Sequence, residues 1–219
     1  MRVWLPLIVG ALGIFLAFPW SRAFGQRDMA AATMPTVGKG MKEATFAAGC
    51  FWGVQQALKQ VPGVVSTTVG YTGGTTVNPT YGEVCTETTH HAEAVLVVYD
   101  PAKVSYAELL DAFWSCHDPT TKDRQGPDVG DQYRSAIFTH DAEQARVAKA
   151  SLEEVDKQHV FADKIVTEIV PAGPFYPAEG YHQDYAAKEG VVCHTEGPAK
   201  VRTQLAVLAA EARKAMQPG

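Results

Sequence analysis

Apolar and polar positions divide the chain into three stretches. Met1 and Arg2 are followed by an uncharged apolar run from Val3 to Trp20, and then by Ser21, Arg22, Ala23, Phe24 and Gly25. A charged start, an apolar segment and small residues at Ala23 and Gly25 are the layout of a secretory signal, with cleavage expected before Gln26. The apolar run approaches the length of a spanning helix, so residues 1–25 read as a signal peptide or an uncleaved membrane anchor. Pro6 and Pro19 argue against a buried core helix. Residues 26–42 are rich in Ala, Gly, Thr and Pro without a sustained period, and read as a linker. The domain proper is expected over 43–219.

Within that domain the period switches repeatedly between two and 3.6. Ala44 to Ala48 predicts a short strand, and Phe51 to Gln60 a helix stopped by Pro62 and Gly63. Val64 to Tyr71 predicts a second strand, followed by a loop from Thr72 to Tyr81 that carries Gly73, Gly74, Asn78 and Pro79. A strand over Glu93 to Tyr99 precedes a helix opened by the capping-box pair Ser105 and Glu108. Tyr133 to Thr139 predicts a strand, Asp141 to about His159 an amphipathic helix, and Lys164 to Val170 a further strand. After a Gly, Pro and Tyr-rich stretch, a helical extension is expected from about residue 198, with Lys200 to Met216 as its helix. Strands and helices alternate without regular crossover spacing. The expected fold is therefore α+β, with helices layered on a mixed sheet, rather than doubly wound.

Composition adds two exclusions. A net charge of -5 leaves no basic stripe for phosphates, so no nucleic-acid partner is expected. A chain of 219 residues can bury a core without staples, so its four cysteines are open to chemistry as well as to disulfides. Cys50 lies where a strand turns into a helix, and the amide hydrogens and dipole of a first helical turn favour a thiolate. Gly49 and Gly53 allow close approach, while Phe51 and Trp52 read either as core or as an apolar pocket wall. Among the seven histidines, His90 with His91, Cys116 with His117 and Cys193 with His194 form no recognised zinc spacing, and no metal or other cofactor is expected.

Six segments carry a resemblance: GCFWG at Gly49 to Gly53, GYTGG around Tyr71, NPTY ending at Tyr81, HAEAV around Glu93, QYRSAIF from Gln132 and FYPAEGYHQDY ending at Tyr185. Their order and spacing over about Ala44 to Gly197 resemble the methionine sulfoxide reductase A family. The resemblance implies a two-layer α/β sandwich with a ferredoxin-like element, and reduction of the S epimer of methionine sulfoxide, protein-bound and free. It implies Cys50 as nucleophile, Glu93 as general acid, Tyr81 and Tyr133 as hydrogen-bond donors to the sulfoxide oxygen, and Asp128 on the polar rim. Phe51 and Trp52 become the pocket for the S-methyl group, and His182 a structural hydrogen-bonding residue. Cys193 occupies the position of a recycling cysteine, implying a Cys50 to Cys193 disulfide reduced by thioredoxin or a thioredoxin-like protein. Family members with two recycling cysteines carry another several residues on, and this chain has none after Cys193. Cys85 is expected as a small buried hydrophobe, and Cys116 stands where the family more often has asparagine. A monomer exported out of the cytoplasm is expected.

Two other readings fit the residues alone. A cysteine hydrolase would pair Cys50 with a histidine and turn over without reductant. A binding domain would use Phe51, Trp52, Tyr81 and Tyr133 as a recognition surface, indifferent to Cys50.

Overall fold

The computed structural model describes residues 29–190. The targeting segment, Cys193 and the Lys200 to Met216 helix lie outside the described residues.

Strand β1 (Lys42–Ala48) leads into helix α1 (Phe51–Lys59), which buries Phe51, Val54, Gln55 and Leu58 at helical spacing. A turn closed by Val64 N–H on the Val61 carbonyl opens β2 (Val64–Thr72). A long excursion holds one helical turn, α2 (Tyr81–Val84), started by a capping box between Thr80 and Glu83. Then come β3 (Ala92–Tyr99) and α3 (Tyr106–Ser115), whose capping box joins Ser105 and Glu108. A two-residue hairpin, β4 (Arg124–Gln125) and β5 (Asp128–Val129), precedes β6 (Ser135–Thr139). Helix α4 (Ala142–Lys157) starts on Asp141, whose carboxylate accepts the Gln144 N–H. Edge strands β7 (Glu168–Pro171) and β8 (Phe175–Pro177) and helix α5 (Tyr185–Glu189) follow.

The main sheet has six strands in the order β7-β6-β1-β3-β2-β8. Its inner four, β6-β1-β3-β2, pair antiparallel throughout, and with α1 and α3 they make the β-α-β-β-α-β ferredoxin-like unit. The parallel β6–β7 pair makes the sheet mixed. Alternation sorts the side chains: Ala44, Phe46 and Ala48 of β1 join Val95, Val97 and Tyr99 of β3 under α1 and α3, whereas Ala47, Ala92, Ala94, Ala136 and Phe138 line the other face. All eight residues of β3 are buried, as a central strand covered on both faces requires.

Three expectations shift. Tyr133 does not belong to a strand: it ends a single 3-10 turn (Asp131–Tyr133), and β6 starts at Ser135, opposite Ala48. The strand expected over Lys164 to Val170 narrows to Glu168–Pro171, because β6 offers partners only from Ala136 opposite Glu168, while the Val166 N–H goes to the Pro119 carbonyl. Part of the expected linker is anchored: Ala31 bridges to Glu179, flanked by Ala32 N–H on the Ala178 carbonyl and Gly180 N–H on the Ala30 carbonyl.

Edge strand β8 pairs on β2 at Gly70 opposite Pro177. A methyl group on Gly70 would meet the Tyr176 carbonyl oxygen and lie 2.6 Å from the Phe175 ring. Gly70→Ala should therefore push β8 off the sheet and destabilise by about 1–3 kcal/mol, the usual scale of overpacking. Calorimetry should show Tm lowered by several degrees; an unchanged Tm would show that β8 yields at no cost.

Candidate active site

The end of β1 delivers Cys50 to the N-cap of α1, half-buried. The turn into it needs Gly49, which has φ +89° and whose missing Cβ would lie 2.6 Å from the Gln125 side chain. On the neighbouring strand, Glu93 shares the helix-facing side of the sheet with Val95 and Val97, and only 2% of its surface is exposed. Its Oε2 accepts the Phe51 N–H at 3.0 Å, so the carboxyl sits at the first turn of α1, next to Cys50. Burial pushes the Glu93 pKa up to about 8; the Phe51 hydrogen bond opposes the rise and the nearby Asp128 carboxylate adds to it. Desolvation wins, and Glu93 carries its proton near neutral pH.

Two phenols converge from separate connections. Tyr81 opens α2, in the excursion between β2 and β3, and Tyr133 closes the 3-10 turn before β6. Burial, then Cys85, then Glu93 and Tyr133 raise the Tyr81 phenol far above its ordinary value. Burial, then Glu93, Asp128, Cys50 and Cys85 do the same for Tyr133. These electrostatic influences link Glu93 with Asp128, Tyr81 and Tyr133, and Tyr133 with Cys50, so the five residues share one neighbourhood. Asp128 gets there on β5, in a hairpin too short for the sequence pattern to reveal.

An aromatic wall bounds the cluster. Phe51 is 1% exposed, and its ring centroid lies 6.4 Å from that of Trp52. Trp52 stacks on Tyr185 at 3.8 Å and donates its indole N–H to His182 Nδ1 at 3.1 Å. His182 packs in turn on Phe51 and Tyr81, at 5.1 and 4.6 Å. Burial pulls its pKa down to about 4, with Glu179 opposing, so it is a neutral imidazole that accepts at Nδ1.

Cys85 is exposed rather than buried, which corrects the expectation. It caps the C-terminal end of α2, one turn beyond Tyr81, where the i to i+4 spacing puts it beside the Tyr81 hydroxyl instead of in the core. Cys116 is the buried one: its thiol donates to the Phe113 carbonyl at 3.3 Å, and burial pushes its pKa up to about 12. His117 bonds the Phe113 carbonyl and Ser135 inside the same core layer. Among the described residues no group of three His, Cys, Asp or Glu side chains could hold a metal ion. Sequence reasoning passed over Glu179, Tyr71 and Tyr185, all of which touch the residues above; the only signal was their place inside FYPAEGYHQDY and GYTGG.

Comparison with known proteins bears on this cluster. The sequence profile described as "Peptide methionine sulfoxide reductase" matches residues 42–211. A peptide methionine sulfoxide reductase MsrA of Methanosarcina acetivorans is 61% identical over 153 residues, covering 70% of this chain and 81% of the relative. The reduced form of Mxr1 from Saccharomyces cerevisiae superposes with a TM-score of 0.70 at 35% identity, over 77% of this chain and 98% of Mxr1. Mxr1 in complex with Trx2 superposes at 0.52 and 26% identity, over 77% and 97%. Profile and relative each span most of the chain, and on that ground it belongs to the peptide methionine sulfoxide reductase family.

Proposed function

We propose that this chain repairs oxidised proteins outside the cytoplasm by reducing the S epimer of methionine sulfoxide, with Cys50 as nucleophile and Glu93 as acid. The observation that carries the reading is a carboxyl held protonated by burial at the helix turn that begins on Cys50. A sulfoxide oxygen leaves only once it is protonated, so such a site needs an acid still neutral near pH 7.

In the first step the Cys50 sulfur attacks the sulfoxide sulfur while Glu93 gives its proton to the oxygen. Tyr81 and Tyr133, whose raised phenols keep their protons, donate hydrogen bonds to that oxygen. The S–O bond then breaks with the oxygen leaving as water, so that Cys50 stays bonded to the substrate sulfur as a sulfonium. A water attacks the Cys50 sulfur, the S–S bond breaks, methionine departs with its sulfur reduced by two electrons, and Cys50 is left as the sulfenic acid, oxidised by two. Phe51 and Trp52 enclose the methyl group, and Asp128 lines the rim. Cys193 then attacks the sulfenic sulfur, expelling water and forming a Cys50 to Cys193 disulfide. A thioredoxin-like dithiol of the same compartment takes the disulfide back to thiols; the solved complex of Mxr1 with Trx2 supports this class of reductant. Residues 1–25 send the chain out of the cytoplasm as a signal peptide or anchor, and the chain works as a monomer.

The direct test is an assay of the chain from Gln26 against each epimer of a methionine sulfoxide peptide, with dithiothreitol. Only the S epimer should be consumed, and Cys50→Ser should abolish the reaction, since a serine hydroxyl is neither ionised at neutral pH nor soft enough to attack sulfur. Equal use of both epimers, or turnover above a few per cent in the variant, would refute the reading.

Glu93→Gln should slow the chemical step by about a hundredfold or more. Its stability should move in the opposite direction. A carboxyl whose folded pKa, about 8, exceeds its unfolded value supports the fold below the unfolded pKa and loses that support as pH climbs towards 8. The glutamine has no proton to lose, so its Tm relative to wild type should rise between pH 5 and pH 8. A constant difference across that window would place the carboxyl in a solvated setting and remove it as the acid.

Cys193→Ser should leave the first turnover nearly intact and block steady-state turnover with thioredoxin, with partial rescue by dithiothreitol. Mass spectrometry of wild type after one equivalent of substrate should show Cys50 linked to Cys193. A link from Cys50 to Cys85 or Cys116 would make that residue the resolver instead.

A further inference from the structure

Two walls of the site, the indole of Trp52 and the phenol of Tyr81, come from elements that do not adjoin in sequence, and one half-buried carboxylate bears on both residues, on Tyr81 at its backbone amide and on Trp52 through His182. Glu179 lies between β8 and the next 3-10 turn (Gly180–His182) and is 13% exposed at its side chain. Its Oε1 accepts the Tyr81 backbone N–H at 2.9 Å. That N–H opens α2 and has no acceptor within the helix, so the carboxylate fills the position an incoming anion would otherwise take. Its Oε2 accepts the Tyr71 hydroxyl at 3.0 Å and stands 3.8 Å from His182 Nε2.

The His182 contact fixes a tautomer. Nδ1 accepts the Trp52 indole N–H, so the proton of the neutral ring sits on Nε2 and points at Glu179. Among the described residues Nε2 has no hydrogen-bond partner of its own, and at 3.8 Å the carboxylate is the charge that compensates it. The backbone of Glu179 leaves the carboxylate little freedom to turn elsewhere. Ala178 N–H bonds the Val69 carbonyl, Gln183 Nε2 bonds the Ala178 carbonyl, and Ala31 bridges Glu179 from the N-terminal arm.

Resting on the proposed reading of the pocket, we infer that Glu179 is a positioning residue for sulfoxide reduction, holding Tyr81 by its amide and Trp52 through the His182 tautomer. It never touches substrate. It sets where the oxygen donor and the methyl wall stand relative to Cys50, and small misplacements of such groups cost large factors in rate.

The test is Glu179→Gln in the full chain, which keeps size and shape but replaces one carboxylate oxygen by an amide that donates. Whichever way the amide turns, either Tyr81 N–H or the Tyr71 and His182 side loses its acceptor. Purified protein is assayed on S-methyl and S-ethyl sulfoxides of the same peptide, with Tm measured alongside. The expected result is a fall of about tenfold in kcat/KM for the methyl substrate, a smaller fall for the ethyl substrate, and thus a narrower preference for methyl, at a Tm within a few degrees of wild type. Wild-type values on both substrates would overturn the inference. So would an equal loss on both that tracks a lowered Tm, since that marks structural support alone. A wild-type chain inactive on both sulfoxides would overturn the underlying reading together with this one, and is thereby told apart from the first two results.

Discussion

The arrangement depends on one placement that folding opposes: a carboxyl on the central strand of a sheet buried on both faces. Leaving Glu93 ionised there would cost several kcal/mol, and among the described residues no cation pairs with it. The structure resolves this by giving it one donor, the Phe51 N–H, and otherwise letting it keep its proton. That single bond ties strand β3 to the first turn of α1 and so fixes the distance between the acid and the thiol that precedes Phe51. The two residues come from the ferredoxin-like core itself. Their separation is thus set by strand pairing and helix packing, the least deformable contacts in the domain.

The other polar groups of the site arrive on connections. Tyr81 comes from the β2–β3 excursion, Asp128 and Tyr133 from the segment between α3 and β6, and Glu179 and His182 from the stretch after β8. These segments have little regular structure, and short hydrogen bonds to their own side chains hold them instead. His91 illustrates the device: Nδ1 accepts the Gly74 N–H at 3.1 Å and Nε2 donates to the Thr76 carbonyl at 2.7 Å, pinning the glycine turns that lead to Tyr81. Arg134 does likewise for the segment before β6, donating to the carbonyls of Asp131 and His90 and pairing with Glu168 of β7.

This division explains what was legible in the sequence. Period-two and period-3.6 patterns located β1, α1, β2, β3, α3, β6 and α4, because those elements each bury a face and must show it. The capping box at Ser105 was visible for the same reason. The pattern missed α2 and the β4–β5 hairpin, which bury little and exist through local hydrogen bonds. It extended the seventh strand too far because edge pairing, not hydrophobicity, sets its start. Cys85 read as core on the strength of residue type alone, although one helical turn from Tyr81 is a surface position there. The gathering of Cys50, Glu93, Tyr81, Tyr133 and Asp128 could not be read from spacing, since strands far apart in sequence bring them together. Only the resemblance of whole segments pointed to it.

The electrostatics of the cluster carry a consequence for selectivity. Glu93, Tyr81 and Tyr133 all have raised pKa values, each mainly through burial, so near pH 7 all three hold protons and, on the proposed mechanism, serve as donors. A sulfoxide oxygen bears substantial negative charge and can accept from all of them, increasingly so as the S–O bond breaks. The thioether product has no oxygen to offer. Half-buried phenols that lose their acceptor are worse off than phenols that keep it, and a site built to hydrogen-bond one group discriminates strongly against an analogue lacking it. On the proposed mechanism, the same polarity that lowers the barrier therefore weakens the hold on methionine once the oxygen has gone.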